Sequence, residues 1–126
     1  MEARIDHTIV PVNELEDSLA FYCDLLGFVK DAEQGPFQGV RVSESFLMLL
    51  SPYGTLGGLH LAFSFPAARF ETIFADIRAK NLEYGDQFDA TSNGKGPTPQ
   101  PGATGEIPAV YLLDPSKNLI ELRCLE

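Results

Sequence analysis

The sequence predicts an α+β fold in which a βαβββ unit occurs twice in a single domain, residues 1–126. Two observations lead to this prediction. Short runs typical of strands precede and follow two segments whose apolar residues recur with the period of a helix. Each of these helices also follows an apolar run that contains a histidine near its start, His7 in one case and His60 in the other.

The first unit, about residues 1–53, opens with a strand over residues 4–12. The helix that follows begins near Asn13 and repeats leucine and tyrosine at helical spacing. It ends at Gly27, the residue type that most readily adopts the left-handed conformation of a helix end. Three further strands complete the unit. They are predicted over residues 28–33, 37–43 and 45–51.

The second unit, about residues 57–126, repeats this order. A strand in GLHLAFSF, residues 58–65, leads into a helix over residues 67–80 with phenylalanine and isoleucine on one face. A tight turn at residues 115–117 is predicted between the last two strands. The three strands after the helix are predicted over residues 83–88, 109–114 and 118–124.

Residues 91–108 interrupt the second unit with the run TSNGKGPTPQPGATGEIP. So much glycine and proline predicts irregular structure, and the segment is longer than most loops of compact domains. It is either a lid over a binding site or a mobile surface insertion. Because such a segment buries little apolar area, we expect a deletion of residues 92–105 to change the melting temperature by only a few degrees.

The register of the repeat places the two histidines at equivalent positions. An offset of 53 residues aligns His7 with His60, and the same offset aligns Phe21 with Phe74 within the two helices. Both histidines therefore lie at the start of a strand that leads into a helix. If one histidine lies on the face turned away from its helix, the other does so too.

Strand geometry then predicts which residues share the face turned away from the helices. Successive side chains of a strand point to opposite faces, and the bulky apolar set of each strand belongs under its helix. This leaves His7 and His60 on the open face of their strands. In the final strand, the alternation of apolar residues leaves Glu121 and Arg123 on that same face.

Two imidazoles and one carboxylate on a concave face form a 2-His-1-carboxylate set, which holds Fe, Mn, Ni, Co or Zn and leaves positions open for substrate. His7, His60 and Glu121 are therefore the candidate ligands of one divalent metal ion per chain. Glu121 is also the candidate catalytic residue, and Arg123 is a candidate contact for an anionic group of the substrate. The alternative is structural: core histidines bonded to the backbone, and an edge-strand charge that discourages pairing with another chain.

Three segments resemble the hallmark segments of the vicinal oxygen chelate superfamily, which includes glyoxalase I, bleomycin-resistance proteins and type I extradiol dioxygenases. These segments are DHTIVPVNELEDSLAFYCDLLGF, GLHLAFSF and YLLDPSKNLIELR. The resemblance covers nearly the whole chain and implies two βαβββ modules that form a U-shaped mixed sheet around a divalent metal, with the helices outside. It places ligands at His7, His60 and Glu121, and it implies a homodimer whose metal sites are shared between chains.

The sequence departs from glyoxalase I at the fourth metal ligand of that enzyme. Aligning residues 45–49 (SFLML) with residues 118–122 (NLIEL) places Met48 there. A thioether is a poor ligand for a hard divalent ion, so we expect three protein ligands and assign Met48 to the substrate side of the site. The resemblance to extradiol dioxygenases also implies a further pocket histidine, which this chain lacks. The residues that could replace it are Tyr53, Tyr84 and Tyr111.

Composition narrows the class of partner. The chain has 44% apolar and 21% charged residues, as globular domains do. Its net charge of −9 opposes binding to nucleic acid and to anionic membranes, so a small molecule is the expected partner. No apolar run approaches a membrane span and the first residues are too charged for a signal peptide, so we expect a cytoplasmic protein.

Cys23 and Cys124 lack metal or redox spacing and are expected to be reduced, structural thiols.

These features predict a metal-dependent enzyme that acts on a small oxygen-bearing molecule. The metal would chelate two neighbouring oxygens and stabilise an enolate or oxyanion as a Lewis acid. Lyase, isomerase, thiol transferase and dioxygenase reactions all stay open. The alternative is a protein without catalytic activity that sequesters a small molecule, as the bleomycin-resistance proteins do.

Overall fold

A computed structural model describes all of residues 1–126 and confirms the α+β fold with two βαβββ units. The helix of the first unit begins as an α-helix and continues as a π-helical stretch. The elements of the first unit are β1 (His7–Pro11), α1 (Leu15–Leu19, continued by the π-helical Ala20–Leu25), β2 (Val29–Gln34), β3 (Phe37–Ser43) and β4 (Phe46–Ser51). Those of the second are β5 (His60–Pro66), α2 (Ala67–Ala79), β6 (Thr98–Gln100), β7 (Ile107–Leu113) and β8 (Leu119–Leu125).

The strands form two four-stranded mixed sheets with the same topology. Their orders are β1-β4-β3-β2 and β5-β8-β7-β6. In each sheet the first strand of the unit pairs in parallel with the last strand, and the other pairs are antiparallel. β1 and β5 consequently lie at sheet edges, each with one side that has no strand partner within the chain.

The second unit differs from the sequence prediction in its edge strand. Residues 83–88 do not form a strand, and only isolated bridges lie there, from Gly85 to Tyr111 and from Gln87 to Ala90. The edge strand is instead β6, inside the Gly- and Pro-rich segment that was expected to be irregular. Pro99 sits in the middle of β6, which is possible because an edge strand does not need every backbone N–H for pairing.

Both helices end within two residues of the predicted positions, the first at Leu25 and the second at Ala79. Gly27 has a φ of 81°, and its N–H donates to the carbonyl of Cys23. Asn81 follows α2 with a φ of 55°, a conformation that asparagine tolerates better than most side chains. Neither helix has the length and apolar character needed to cross a membrane.

The helix-facing sides of the two sheets share one hydrophobic core of 19 buried residues. Phe28, just before β2, packs edge-to-face on Phe63 of β5 with ring centroids 5.0 Å apart. It also stacks on Phe65 at 6.1 Å. Because burial of each large apolar side chain contributes about 1.5–3 kcal/mol, this shared cluster holds the two units together as one body.

A buried carboxylate, Asp114, joins the two units by hydrogen bonds. Tyr22 of the first unit donates its hydroxyl to Asp114 Oδ2 at 2.5 Å. Burial, with the adjacent Asp114 charge, raises the pKa of Tyr22, so the phenol stays protonated and acts as a donor. Asp114 also accepts from the backbone N–H groups of Ser116 and Asn118, both at 2.9 Å, and from the Asn118 side chain at 3.0 Å.

This link between the units gives a first test. Replacing Tyr22 with Phe should lower the free energy of unfolding by about 1.5–3 kcal/mol, because the change removes a buried hydrogen bond to a charged acceptor. Urea denaturation measures the loss. The matched control is Tyr53→Phe, whose side chain is exposed, and it should change stability by less than about 0.5 kcal/mol. Equal losses of unfolding free energy in the two variants would contradict a stabilising hydrogen bond between Tyr22 and Asp114.

Candidate functional site

Two of the three candidate metal ligands meet on the open face of the second sheet. The parallel register of β5 and β8 pairs His60 with Leu119 and Ala62 with Glu121, so both side chains project from one face. His60 Nε2 lies 3.1 Å from Glu121 Oε1. The imidazole is 49% exposed, whereas the Glu121 side chain is only 6% exposed. An imidazole nitrogen and a carboxylate oxygen, both atom types that bind metals, therefore lie next to each other where solvent can reach them.

The second oxygen of Glu121 is bound by Arg123. Arg123 Nη1 lies 2.5 Å from Glu121 Oε2, and both side chains are almost fully buried. A buried charge is costly unless it is paired and hydrogen-bonded, and this ion pair satisfies both partners. Only Glu121 Oε1 is left to act together with His60.

The remaining contacts of Arg123 correct its predicted role as a substrate contact. Its guanidinium donates to three backbone carbonyls: those of Gln100 at 3.2 Å, Pro101 at 3.1 Å and Gly105 at 2.8 Å. With these acceptors and Glu121, both of its Nη groups are used by the protein, and the side chain is 4% exposed. Arg123 positions Glu121 and the loop, and it does not face a substrate.

The same contacts correct the expectation for residues 91–108. The loop is neither a free lid nor a mobile insertion, because its carbonyls hold a buried cation and its strand β6 pairs with β7. Deletion of residues 92–105 would remove β6 and leave Arg123 with unpaired N–H groups. Such a deletion should therefore strongly destabilise the protein rather than leave its melting temperature nearly unchanged.

Tyr111 is the tyrosine that the fold brings to this pair. It lies opposite Glu121 in the β7–β8 ladder, and its ring centroid is 6.1 Å from that of His60. Its hydroxyl donates to Gln100 Oε1 at 3.3 Å. Burial, reinforced by the charge of Glu121, raises the pKa of Tyr111 to about 12. The hydroxyl is therefore a hydrogen-bond donor at neutral pH and not a base.

The other two tyrosines considered from the sequence lie elsewhere. Tyr53 is exposed, at 66%, beyond the end of β4. Tyr84 packs edge-to-face on Phe74 of α2, with ring centroids 5.1 Å apart. Neither makes an aromatic contact or a side-chain hydrogen bond with His60 or Glu121 within the chain.

His7, the third candidate ligand, does not join the other two within the chain. Its side chain is 48% exposed at the start of β1, and Nδ1 lies 2.7 Å from Asp6 Oδ2. No three His, Cys, Asp or Glu side chains of the chain gather where they could hold one metal ion. A three-ligand set with His60 and Glu121 thus needs His7 from a second copy of the chain.

The strand register corrects the position assigned to Met48. Met48 pairs with Thr8, has no exposed surface and packs in the shared core. Leu49 pairs with Ile9, just as Glu121 pairs with Ala62, so Leu49 is the counterpart of Glu121 in the first unit. The sequence alignment is therefore displaced by one residue, and Met48 faces the core, away from any substrate. A leucine at the fourth position offers no metal ligand at all.

The two cysteines are free thiols in this fold. Burial raises the pKa of both Cys23 and Cys124, and neighbouring acidic groups add to that effect. Because the reactive species is the thiolate, a raised pKa disfavours a nucleophilic role for either residue.

A model of the Glyoxalase/Bleomycin resistance protein/Dioxygenase superfamily matches residues 4–122, nearly the whole chain. The chain belongs to this superfamily. Among curated proteins, the Virulence protein STM3117 of Salmonella typhimurium is 29% identical, over 94% of this chain and 82% of that protein.

Solved structures with a similar fold superimpose over the whole chain or nearly all of it. Oxidase ChaP-H2 is 25% identical with a TM-score of 0.81, covering 100% of this chain and 96% of that one. TnmS3, described as an antibiotic binding protein from Streptomyces sp. CB03234, is 19% identical with a TM-score of 0.73, covering 98% and 97%. The likeness to TnmS3 concerns the fold alone.

The position of Arg123 gives a second test. Replacing Arg123 with Met should lower the free energy of unfolding by about 3–5 kcal/mol, because Glu121 would keep a buried charge without its partner. The control is Arg41→Met, which removes a half-exposed pair with Asp31 and should cost less than about 1 kcal/mol. Urea denaturation measures the free energy of unfolding of both variants. If Arg123→Met loses no more stability than Arg41→Met, the buried ion pair does not stabilise the protein as stated here.

Proposed function

We propose that this member of the superfamily is a metal-dependent enzyme acting on a small oxygen-bearing molecule. The observation that carries the proposal is the pair of His60 Nε2 and Glu121 Oε1, 3.1 Å apart on the open face of the second sheet. A neutral imidazole and an ionised carboxylate are ligands for Fe, Mn, Ni, Co or Zn. The reaction is of the lyase, isomerase, thiol transferase or dioxygenase kind.

The residues present fit a metal only if a second chain contributes. His60 and Glu121 supply two ligands, and His7 of the partner subunit supplies the third. Two observations support this arrangement. The His7 side chain is half exposed on β1, and both β1 and β5 are edge strands with one side that has no strand partner within the chain. We therefore propose a homodimer in which each site combines the first unit of one chain with the second unit of the other.

The protein groups around this site have separate tasks. When bound, the metal would chelate the substrate and stabilise negative charge that develops on its oxygens. Arg123 fixes Glu121 in the rotamer that turns Oε1 toward His60. Tyr111 lies beside them and donates its hydroxyl to Gln100 Oε1, which ties β7 to β6 next to the pair.

A second candidate function is sequestration of a small molecule without catalysis. The observation that favours it is the ion pair between Glu121 and Arg123, which neutralises the carboxylate without any metal. TnmS3, a structure of similar fold that is described as an antibiotic binding protein, supports this candidate. Metal content separates the two functions.

Elemental analysis of purified protein is the direct measurement. We expect about one divalent ion per chain, because each chain contributes one complete ligand set. Variants His7→Ala and Glu121→Gln should lose most of it, whereas Met48→Leu, a conservative change in the core, should retain it. Circular dichroism checks that all variants are folded. Full metal in the His7 and Glu121 variants would overturn the ligand assignment, and no metal in the wild type would favour sequestration.

Mixing two defective chains tests whether the sites are shared. Neither His7→Ala nor His60→Ala should bind metal alone. After the two are unfolded together and refolded, half of the dimers pair unlike chains, and each of these has one intact site and one doubly defective site. The mixture should then recover about a quarter of the wild-type metal. No recovery, with dimers formed, would show that each site belongs to one chain.

A further inference from the structure

The open face of the first sheet, on which His7 lies, contains a trough of about 390 Å³. Its floor consists of Ile9 and Pro11 from β1, Ser51 at the end of β4 and Phe37 from β3. Its rim comes from the connector between β4 and β5, at residues 53–55, 58 and 59. A volume of this size lies in the range of sites that hold small organic molecules.

The strand register relates the trough to His7. Pro11 pairs with Ser51 in the parallel ladder, and His7 and Ile9 have the same parity as Pro11, so these side chains share one face. Two residues of a strand span about 7 Å, so the trough begins next to His7, at Ile9. It extends to Phe37, two strands away from β1, and therefore crosses the face rather than following the free edge of the sheet.

The connector that forms the rim is anchored at several points. Ser51 Oγ donates to the carbonyl of Tyr53 at 3.1 Å and accepts from the N–H of the same residue at 3.0 Å. Gly54, with a φ of 103°, lies so close to Pro11 that a side chain there would collide with the proline ring. The N–H of Leu59 donates to Asn118. The trough is thus shaped before a ligand binds, which lowers the entropic cost of binding.

The lining of the trough is apolar and carries no charge. No charged side chain lines it, and the hydroxyl of Ser51 is already bonded to the connector. Arg41 shares this face of the sheet, but it is paired with Asp31. An ion placed in the trough would therefore lose hydration without gaining a partner, and an uncharged group is favoured there.

Two aromatic rings of the lining have free surfaces. Phe37 and Tyr53 both line the trough, and neither packs on another aromatic ring of the chain. The Tyr53 side chain is 66% exposed. Aromatic rings gain from stacked or edge-to-face contacts beyond the burial of area alone. These two rings favour a ligand that is itself aromatic.

We infer that the trough binds an uncharged aromatic ring of the substrate, with the oxygen atoms of that molecule turned toward His7. The inference rests on the proposed function for the direction of the oxygens, and it adds the substrate class, a neutral aromatic compound. In the proposed dimer, the trough is the wall that the chain donating His7 contributes to the shared site. Because every lining residue belongs to one chain, binding of the ring requires neither the metal nor the partner subunit.

Two fluorescent probes test the ligand class. The neutral probe is N-phenyl-1-naphthylamine, and 8-anilino-1-naphthalenesulfonate is an anionic probe with the same ring systems. Both are titrated in the presence of EDTA, so that failure of the metal proposal does not affect the result. We expect one neutral probe to bind per chain, more tightly than the sulfonate and with an affinity that added salt does not lower.

Single variants locate the bound probe. Ile9→Thr and Tyr53→Ala should each weaken the neutral probe about five- to tenfold, because each removes apolar contact area, whereas Tyr53→Phe keeps the ring and should retain binding. The control for Ile9→Thr is Val29→Thr, the same kind of change on the same sheet but outside the trough. The control for Tyr53→Ala is Phe88→Ala, whose side chain is 63% exposed and also outside it. Both controls should stay within about twofold of the wild type.

A fluorinated ring tests whether the trough belongs to the metal site. 1-Fluoronaphthalene should compete with the neutral probe. In protein loaded with Mn²⁺, its ¹⁹F resonance should broaden strongly, because the unpaired electrons of the ion lie near the bound ring. The variant His7→Ala, treated with Mn²⁺ in the same way, should show no such broadening.

Several outcomes would overturn the inference. It fails if the neutral probe does not bind, if the sulfonate binds more tightly, or if either control variant weakens binding as much as its counterpart. It also fails if binding is lost as sedimentation shows the chain dimerising, because a second copy then fills the trough, or if manganese binds without broadening the fluorine signal. A wild type that binds the neutral probe at Ile9 and Tyr53 but takes up no manganese would contradict the metal proposal while supporting the ligand class.

Discussion

The Asp114 carboxylate is the group on which the geometry of the second sheet depends. It closes the turn between β7 and β8 by accepting the N–H groups of Ser116 and Asn118. Asn118 in turn accepts from the N–H of Leu59 at 3.2 Å, directly before His60. One carboxylate thus fixes the starts of both strands that carry the candidate site, and a buried network of this kind is strong only when every member is satisfied.

The network also reaches the first unit. Tyr22 donates to Asp114, and Ser116 Oγ accepts from the backbone N–H of Asn13 at 2.9 Å. Since the aromatic contacts of Phe28 join the same two units at another place, their relative position is fixed by both polar and apolar contacts. A cavity of about 810 Å³ between the units is a result of this fixed position, because its walls come from both of them.

The sequence was sufficient to predict the repeat and most of its helices and strands. It also predicted the strand face on which His7, His60 and Glu121 lie, because the alternation of side chains in a strand is a local property. It was insufficient at Met48, since FLMLLS is buried on both faces and such a run contains no alternation to fix its register. The partners of Arg123 are backbone carbonyls, which leave no pattern in a sequence. The edge strand β6 was missed because Pro99 and its neighbours read as a loop.

The contact between Arg123 and the loop has a consequence for divergence among relatives of this chain. Every residue type carries the carbonyl that Arg123 binds, including proline at position 101. The side chains of Pro101, Ala103 and Thr104 can therefore be exchanged while the loop keeps its anchor, whereas a side chain at Gly102 would collide with the Arg123 guanidinium. Arg123 would then be compatible with several loop sequences beside the His60 and Glu121 pair, so that selection could alter what surrounds the site without rebuilding the strands beneath it.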